Sequence, residues 1–584
     1  MGKRGRDDDA GGASGATALA APADDRVRLY HAHRQHLNKL FLADIDRKIK
    51  EDPSRILDAE VASYVKHSKS LRVRPLSRAL PFPSFRAFGR DRAGSRNPHD
   101  LARPRTFPSD PCPPLDLSTS PRTFPDVSLP PRHRDLRQTM FADVMSSLDR
   151  ASSVALVAAG AAAKRGSAFV FGTGDAGQLG LGDDVFELGR PQLLHTIPSS
   201  LPVLKVACGG MHTIAIVEGG LVYSWGVNDE GALGRKAAKD EAGAESTPGL
   251  VKMPPGAAAV DVSTGDSHVA VATSDGSVLA WGTFRTSSGL WAFSPETQIA
   301  RSPETRYVPE TSDARVVSVR SGTDHVLALT AGGDAYSWGC GEKGRLGRLA
   351  QSDADNVSKK DFEAKSKLLT PSKVPNLPSG GVSAVVAGSY HCLAVAKNGT
   401  DVFGWGLNSY GQLGVPYDFT AAASNQLVYF PMRVDELSGR GFVDGDGGEA
   451  HTVMLSSAGK AYAFGRSAYG RLGLADVDPK DDEPHSAVGH VAGLPGRVVA
   501  VVAGSSNSGA VTESGEAYAW GYGDLYQLGR GKDDSSDAFA PEKIKATKKM
   551  EGKRVAALSF GGQHAALVAV EDAAAHHAAK RARE

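Results

Sequence analysis

From residue 167 to residue 570 the chain is written as short apolar runs separated by Gly, Asp or Asn. HTIAIVEGGLVYSWG (212–226) is representative: an apolar strand, a Gly turn, and a second strand that ends in Trp-Gly. Period-two alternation punctuated in this way predicts antiparallel hairpins.

The hairpins repeat. Aromatic-Gly turns occur at FGTGDAGQLG (171–180), WGVNDEGALG (225–234), WGTFRTSSGL (281–290), WGCGEKGRLG (338–347), WGLNSYGQLG (405–414), FGRSAYGRLG (464–473) and WGYGDLYQLG (520–529). A second motif, G-x-x-H, keeps step with them as GGMH (209–212), GDSH (265–268), GTDH (322–325), GSYH (388–391), GEAH (448–451), GSSN (504–507) and GGQH (561–564). The spacing lies mostly in the mid-fifties, longer than the roughly 40–45 residues of a WD40 blade. Four short strands per unit make a propeller blade. The first aromatic-Gly strand, Phe169 to Gly172, has no hairpin before it, and the last hairpin, Val555 to Val570, has no such strand after it. Each completes the other, so one blade built from both ends closes the ring and pairs otherwise exposed edges. The expected fold is all-β, a seven-bladed propeller over 167–570.

The remainder reads differently. Residues 1–25 form a mixed basic and acidic tail, expected to be disordered. In 26–71, Leu37, Leu40, Phe41, Ile45 and Ile49 share one helical face, and Leu57, Val61, Tyr64 and Val65 share another, which predicts a short helical pair. The 72–166 linker, with 14 Arg and no Lys between 72 and 150, is expected to be largely disordered, and 571–584 is a basic tail.

Charge sharpens this division. The net charge is +1, but residues 1–166 carry 29 Lys+Arg against 19 Asp+Glu, and the rest carries 38 against 47. A basic arm suits an anionic surface, and an acidic body suits a basic partner. Cys112, Cys208, Cys340 and Cys392 form no CxxC, which predicts neither a zinc site nor a disulfide framework and points to a reducing, intracellular compartment. No apolar run approaches a membrane span, so no membrane partner is expected. No G-x-S-x-G elbow is present, and the glycines of GTGDAGQLG sit in a β repeat, which argues against hydrolysis and phosphate binding. No cofactor, metal or covalent chemistry is expected.

A residue that recurs in every blade holds the blade, whereas one that appears once on the same surface needs another explanation. By this rule the G-x-x-H histidines are mostly structural, and the carboxylates Asp175, Asp266 and Asp324 are candidates for a site. Most irregular is Trp281 to Glu296, WGTFRTSSGLWAFSPE, which starts as a normal turn and then omits G-x-L-G.

GTGDAGQLGLGDD, ACGGMHTIAIVEGGLVYSWGVNDEGALGR, STGDSHVAVATSDGSVLAWGTFR and SGTDHVLALTAGGDAYSWGCGEKGRLGR resemble successive blades of the regulator-of-chromosome-condensation family, chromatin-bound guanine-nucleotide exchange factors for the small GTPase Ran. The resemblance implies a nuclear exchange factor whose acidic loops meet basic side chains of Ran. It places partner contacts at Asp175, Asp266, Asp324, Arg348 and His564. It also makes Phe284, Arg285, Thr286, Ser287, Ser288 and Gly289 a protruding β-wedge. It further implies binding to histones, the nucleosome and DNA through Lys3, Arg4 and Arg6 and through Lys359 and Lys360 of the insertion after Arg348, and to importin alpha through a basic tail. Ala450 stands where the family has an exchange histidine, and Ser409 where it has a contacting Asn, so slower exchange is expected. The alternative function is a nuclear interaction scaffold that does not accelerate nucleotide release. A light-sensing relative would carry Trp in the G-x-x-H loops, and none is there.

Overall fold

The computed structural model describes residues 166–237, 243–289, 291–306, 308, 315–355, 362–416, 426–478 and 482–572, all within the unit Pro125–Glu584. The N-terminal segments up to residue 165 and the tail from residue 573 lie outside them.

Seven four-stranded antiparallel sheets form the expected propeller. In the first blade the strands run outward as Val203–Cys208, His212–Val217, Leu221–Gly226 and Gly249–Leu250. The second is Ala259–Thr264, His268–Thr273, Val278–Gly282 and Ala300–Arg306. The third is Val316–Ser321, His325–Thr330, Ala335–Gly339 and Ser372–Lys373. Blades four to six begin at Val382–Ala387, Phe442–Gly447 and Val498–Ala503. The seventh joins both ends of the ring: Lys553–Phe560 and His564–Glu571 pair with Ser167–Thr173 and Glu187–Leu193. Phe169 lies opposite Leu567 and Gly172 opposite His564, the closure expected from the order of the motifs.

The second strand of the first six blades is buried at every position. This departs from simple period-two alternation because each blade packs a neighbour on both faces, so the strand between them meets no water on either side.

The two motifs are one steric device. A Cβ at Gly322 would lie 2.2 Å from Cε1 of His325, so the imidazole occupies the space that a side chain on the loop would need. Gly339, opposite His325 in the register, has φ +119° and would press a Cβ to 2.8 Å from the His325 Cα. Both glycines are therefore tied to the histidine.

Trp and the residue after each His then bolt one blade to the next. Trp225 Nε1 donates to the Gln178 carbonyl at 2.9 Å, Trp405 to Arg345 at 3.1 Å, and Trp520 to Arg471 at 3.1 Å. The same carbonyls accept from the Thr213 hydroxyl, the Cys392 thiol and the Ser508 hydroxyl. With its hydrogen spent there, Thr213 Oγ1 accepts from His564 Nε2 at 2.7 Å, and Ser508 Oγ from His451 Nε2 at 2.9 Å. His268 finds no such acceptor because Val326 replaces the hydroxyl, and its ring nitrogens have no partner among the described residues.

The innermost strands line a central channel of about 1600 Å³. Their unpaired edge, towards the channel, is met by neighbouring side chains: Asp261 Oδ2 accepts from the Val319 N–H and the Ser318 hydroxyl, both at 3.0 Å. Burial alone would raise the Asp261 pKa, but Lys205 and Arg320 beside it bring it below the usual value.

Candidate functional site: one face of the ring

In an antiparallel four-stranded blade the loop from first to second strand and the turn from third to fourth emerge at the same end. The G-x-x-H loops and the aromatic-Gly turns therefore share one face, and it gathers Asp175, Asp266, Asp324 and the irregular segment after Trp281. Asp175 lies on the seventh blade, Glu230 on the first, Asp266 on the second, and Asp324 and Glu342 on the third, while Glu449 and Asp524 add carboxylates from the fifth and sixth.

The irregular segment is a separate two-stranded hairpin, in which Phe284 pairs with Ala292 and Arg285 with Trp291. Its tip turns at Gly289, with φ +71° and an N–H donated to the Thr286 carbonyl at 2.9 Å. Arg285, Ser287, Ser288 and Gly289 are exposed and Thr286 is half-buried.

Three side chains hold this hairpin. Asp324 Oδ1 accepts the backbone N–H of Arg285 at 2.7 Å. Glu230 accepts Arg285 Nε at 2.9 Å, and a second guanidinium nitrogen closes the ion pair. Glu342 accepts both the N–H and the hydroxyl of Ser287, each at 2.9 Å. Arg345, 1% exposed, lies 4.0 Å from Asp324 and 3.9 Å from Glu342 and stacks its guanidinium 4.5 Å over the Tyr390 ring. Burial pushes the Asp324 carboxyl up to about 6, against the opposing pull of the Arg285 N–H and of Arg345. Asp266, over Gly210 at the rim, is also raised by desolvation.

The hairpin costs the scaffold a bolt. Without G-x-L-G there is no carbonyl for the next blade's tryptophan, and Trp338 Nε1 has no partner among the described residues. The space is filled instead by Phe284 and Phe293, whose stacked rings lie 6.2 Å apart, with His268 4.6 Å from Phe284 and the Arg306 guanidinium 5.0 Å from Phe293.

Several expected site residues are placed differently. Phe284 does not protrude: it is 2% exposed and forms the root of the hairpin, because it inherits the core position of the missing turn. Arg348 turns inward, its Nε 3.1 Å from Ser337 Oγ and a terminal nitrogen 3.2 Å from the Leu368 carbonyl. Arg235 repeats this on Ser224 and Ala244, so the position belongs to the blade. His564 is fully buried, and desolvation takes its pKa down to about 3, so it acts as a neutral bolt to Thr213. Ala450 is buried at the loop, and Asn408 makes the turn bonds to Leu413 and Val415 that Asn228 makes in the first blade, which leaves Ser409 at the variable position.

Glu230, Glu342 and Arg345 were not singled out by sequence reasoning. Arg345 carried little signal, since the same position holds Gln178, Ala232, Gln412 and Gln527 elsewhere but also Arg471 in the fifth blade. The glutamates carried none, because acidic residues suit any exposed turn.

Lys3, Arg4, Arg6, Lys359 and Lys360 lie outside the described residues. Within the insertion, Lys367 pairs with Asp353 at 3.7 Å and Glu363 at 3.9 Å. Burial raises the thiols of Cys208 and Cys340 to about 12, which makes them poor nucleophiles.

The RCC1-like domain family matches residues 167–567. The human regulator of chromosome condensation is 39% identical over 409 residues, covering 69% of this chain and 90% of that protein. The guanine nucleotide exchange factor SRM1 of Saccharomyces cerevisiae is 32% identical over 441 residues, covering 68% and 85%. Among solved structures, Prp20p from Saccharomyces cerevisiae, described with its binding to Gsp1p and histones, superposes with a TM-score of 0.62 at 29% identity, covering 72% of this chain and 96% of that one.

Proposed function

This chain belongs to the RCC1-like domain family, and from that premise we propose that it is a chromatin-associated guanine-nucleotide exchange factor for the small GTPase Ran, working in the nucleus. The observation that carries the reading is the hairpin at 284–292, where one repeat in seven gives up its turn and an inter-blade bolt to raise a protrusion beside Asp324.

Exchange needs no covalent step. A protein that binds the nucleotide-free GTPase more tightly than the nucleotide-bound form loosens the nucleotide by the same factor. To do so it must deform the nucleotide-binding region of its partner. The hairpin supplies the lever, and Asp175, Asp266 and the surrounding glutamates supply an acidic seat for a basic partner. Phe284 is the pivot in this arrangement, and Arg285 to Gly289 are the working end.

Chromatin attachment rests on the basic elements at Lys3, Arg4, Arg6, Lys359 and Lys360, which suit the phosphates of DNA and the acidic surface of histones. The basic tail is proposed as an importin-alpha ligand. Support comes from charge and from the histone binding named for the yeast protein.

The test is release of labelled GDP from Ran by the full chain, with Asp324→Ala as the control. Acceleration that depends on Asp324 supports an exchange factor. Binding to Ran with no acceleration supports an interaction scaffold instead.

A further inference from the structure

The hairpin that would act on the partner is rooted by the buried Phe284, which packs on His268 of its own blade and on Phe293. Its upper part rests on side chains from two other turns. Glu230, from the turn of the first blade, grips Arg285 on one side. Glu342, from the turn of the third blade, grips Ser287 on the other, and takes both of its donors on its two carboxylate oxygens. The hairpin is thus suspended between the blades that flank its own. With the Asp324 contact at its root, three carboxylates from outside the hairpin hold it, at the Arg285 N–H, at the Arg285 guanidinium and at Ser287.

We propose that Glu230 and Glu342 are positioning residues for exchange: they set the angle of the hairpin before the partner arrives. This rests on the exchange reading given above. A lever that must push against a nucleotide site works only if its fulcrum does not yield, and groups held in place beforehand avoid the ordering cost at the moment of binding. Arg285 is about half exposed, with its side chain at 47%, and exposed ion pairs add little to fold stability. These contacts therefore contribute little to holding the propeller together, and their place on either side of the hairpin needs another reason. The carboxylate–Ser287 pair is the firmer of the two, since bonds to an ionised acceptor are stronger and this one is made twice.

Arg345 extends the device inward. Its buried guanidinium reaches towards both Asp324 and Glu342, so the root contact and the Ser287 strap share one cation. Among the described residues Glu230 pairs with Arg285 and no second cation, and its removal should matter less than that of Glu342.

Glu230→Ala, Glu342→Ala and the double variant are made in the full chain and compared by multiple-turnover GDP release from Ran, by melting temperature, and by hydrogen exchange at the Ser287 amide. The expected result for Glu342→Ala is a faster-exchanging Ser287 amide, an unchanged melting temperature, and kcat lowered on the order of ten- to a hundred-fold with little change in KM. The double variant falls further, and Glu342→Gln, which keeps one acceptor, recovers part of the loss. A double variant with a mobile Ser287 amide and wild-type kcat overturns the proposal, as does a Ser287 amide whose exchange is unaffected by Glu342→Ala. If the wild-type chain does not release GDP from Ran, the function reading fails, while the amide measurement still decides whether the strap exists.

Discussion

The carboxylate of Asp324 accepts the backbone N–H of Arg285 at 2.7 Å, so a loop of the third blade holds the root of a hairpin that grows from the second. An acidic residue expected to face a partner thus also holds the protruding hairpin by a backbone hydrogen bond. Burial raises its pKa to about 6, although the Arg285 N–H and Arg345 pull it the other way.

A pH dependence follows. The folded-state pKa of Asp324 lies above the ordinary carboxylate value, so the native state binds the proton more tightly than the unfolded chain. This group's contribution to stability therefore grows as pH falls through about 6 and levels off below the unfolded value, while the charged acceptor for Arg285 is lost over the same range. Exchange should decline on acidification through pH 6 without loss of fold. Asp324→Asn should start lower and remove that inflection, which a pH series of GDP-release rates with parallel melting curves reads directly.

Shortening residues 285–290 removes the exposed end of the hairpin and leaves Phe284 and Phe293 in place. GDP release should drop to the uncatalysed rate, and the melting temperature should stay within about 3 °C, since none of the described residues 285–289 contributes a buried apolar side chain. Circular dichroism and stopped-flow release on the same preparation check both halves.

Ala450→His restores the side chain that the family resemblance implies for exchange. Equivalent loop positions already carry Met211, Tyr390 and Gln563, so the loop backbone tolerates a larger residue. A regained polar contact of about 1–2 kcal/mol in the partner-bound state corresponds to a rise of roughly 5- to 30-fold in kcat/KM. An unchanged rate would show that this loop does not reach the partner.

Trp338 and Trp405 occupy equivalent places, but only Trp405 donates a hydrogen bond, to Arg345. Substitution by Phe removes the same volume from both. Trp405→Phe should cost about 1 kcal/mol more than Trp338→Phe, the net worth of one buried hydrogen bond. Urea denaturation of the two variants isolates the price of the hairpin to the scaffold.

Arg348→Ala should behave like Arg235→Ala. Both arginines tie the turn of their blade to carbonyls of the fourth-strand segment, so both variants should lose stability, and neither should change the affinity for nucleotide-free Ran. Calorimetric binding alongside thermal melts separates the two effects.

Blade number, strand order and closure were legible because each motif has a steric reason to recur. Gly322 cannot carry a Cβ beside His325, and Gly339 cannot carry one above it, so the pattern G-x-x-H and W-G is written wherever the geometry occurs. The site was legible only where it broke that pattern. The lost G-x-L-G pointed to the hairpin, and Asp324 stood out among Met, Ser, Tyr and Gln at its position. Glu230 and Glu342 had no such contrast, because their significance depends on Arg285 and Ser287, each 55 residues away.

By itself, then, the sequence determined the repeat, its count and the place where it fails, because these follow from local sterics and hydrophobic period within each unit. Only the tertiary structure decided which side of a residue faces out. It turned Arg348 and His564 into scaffold, sank Phe284 into the core, and hung the hairpin between Glu230 and Glu342, since contacts between blades depend on how the ring closes and not on the order of residues within any blade.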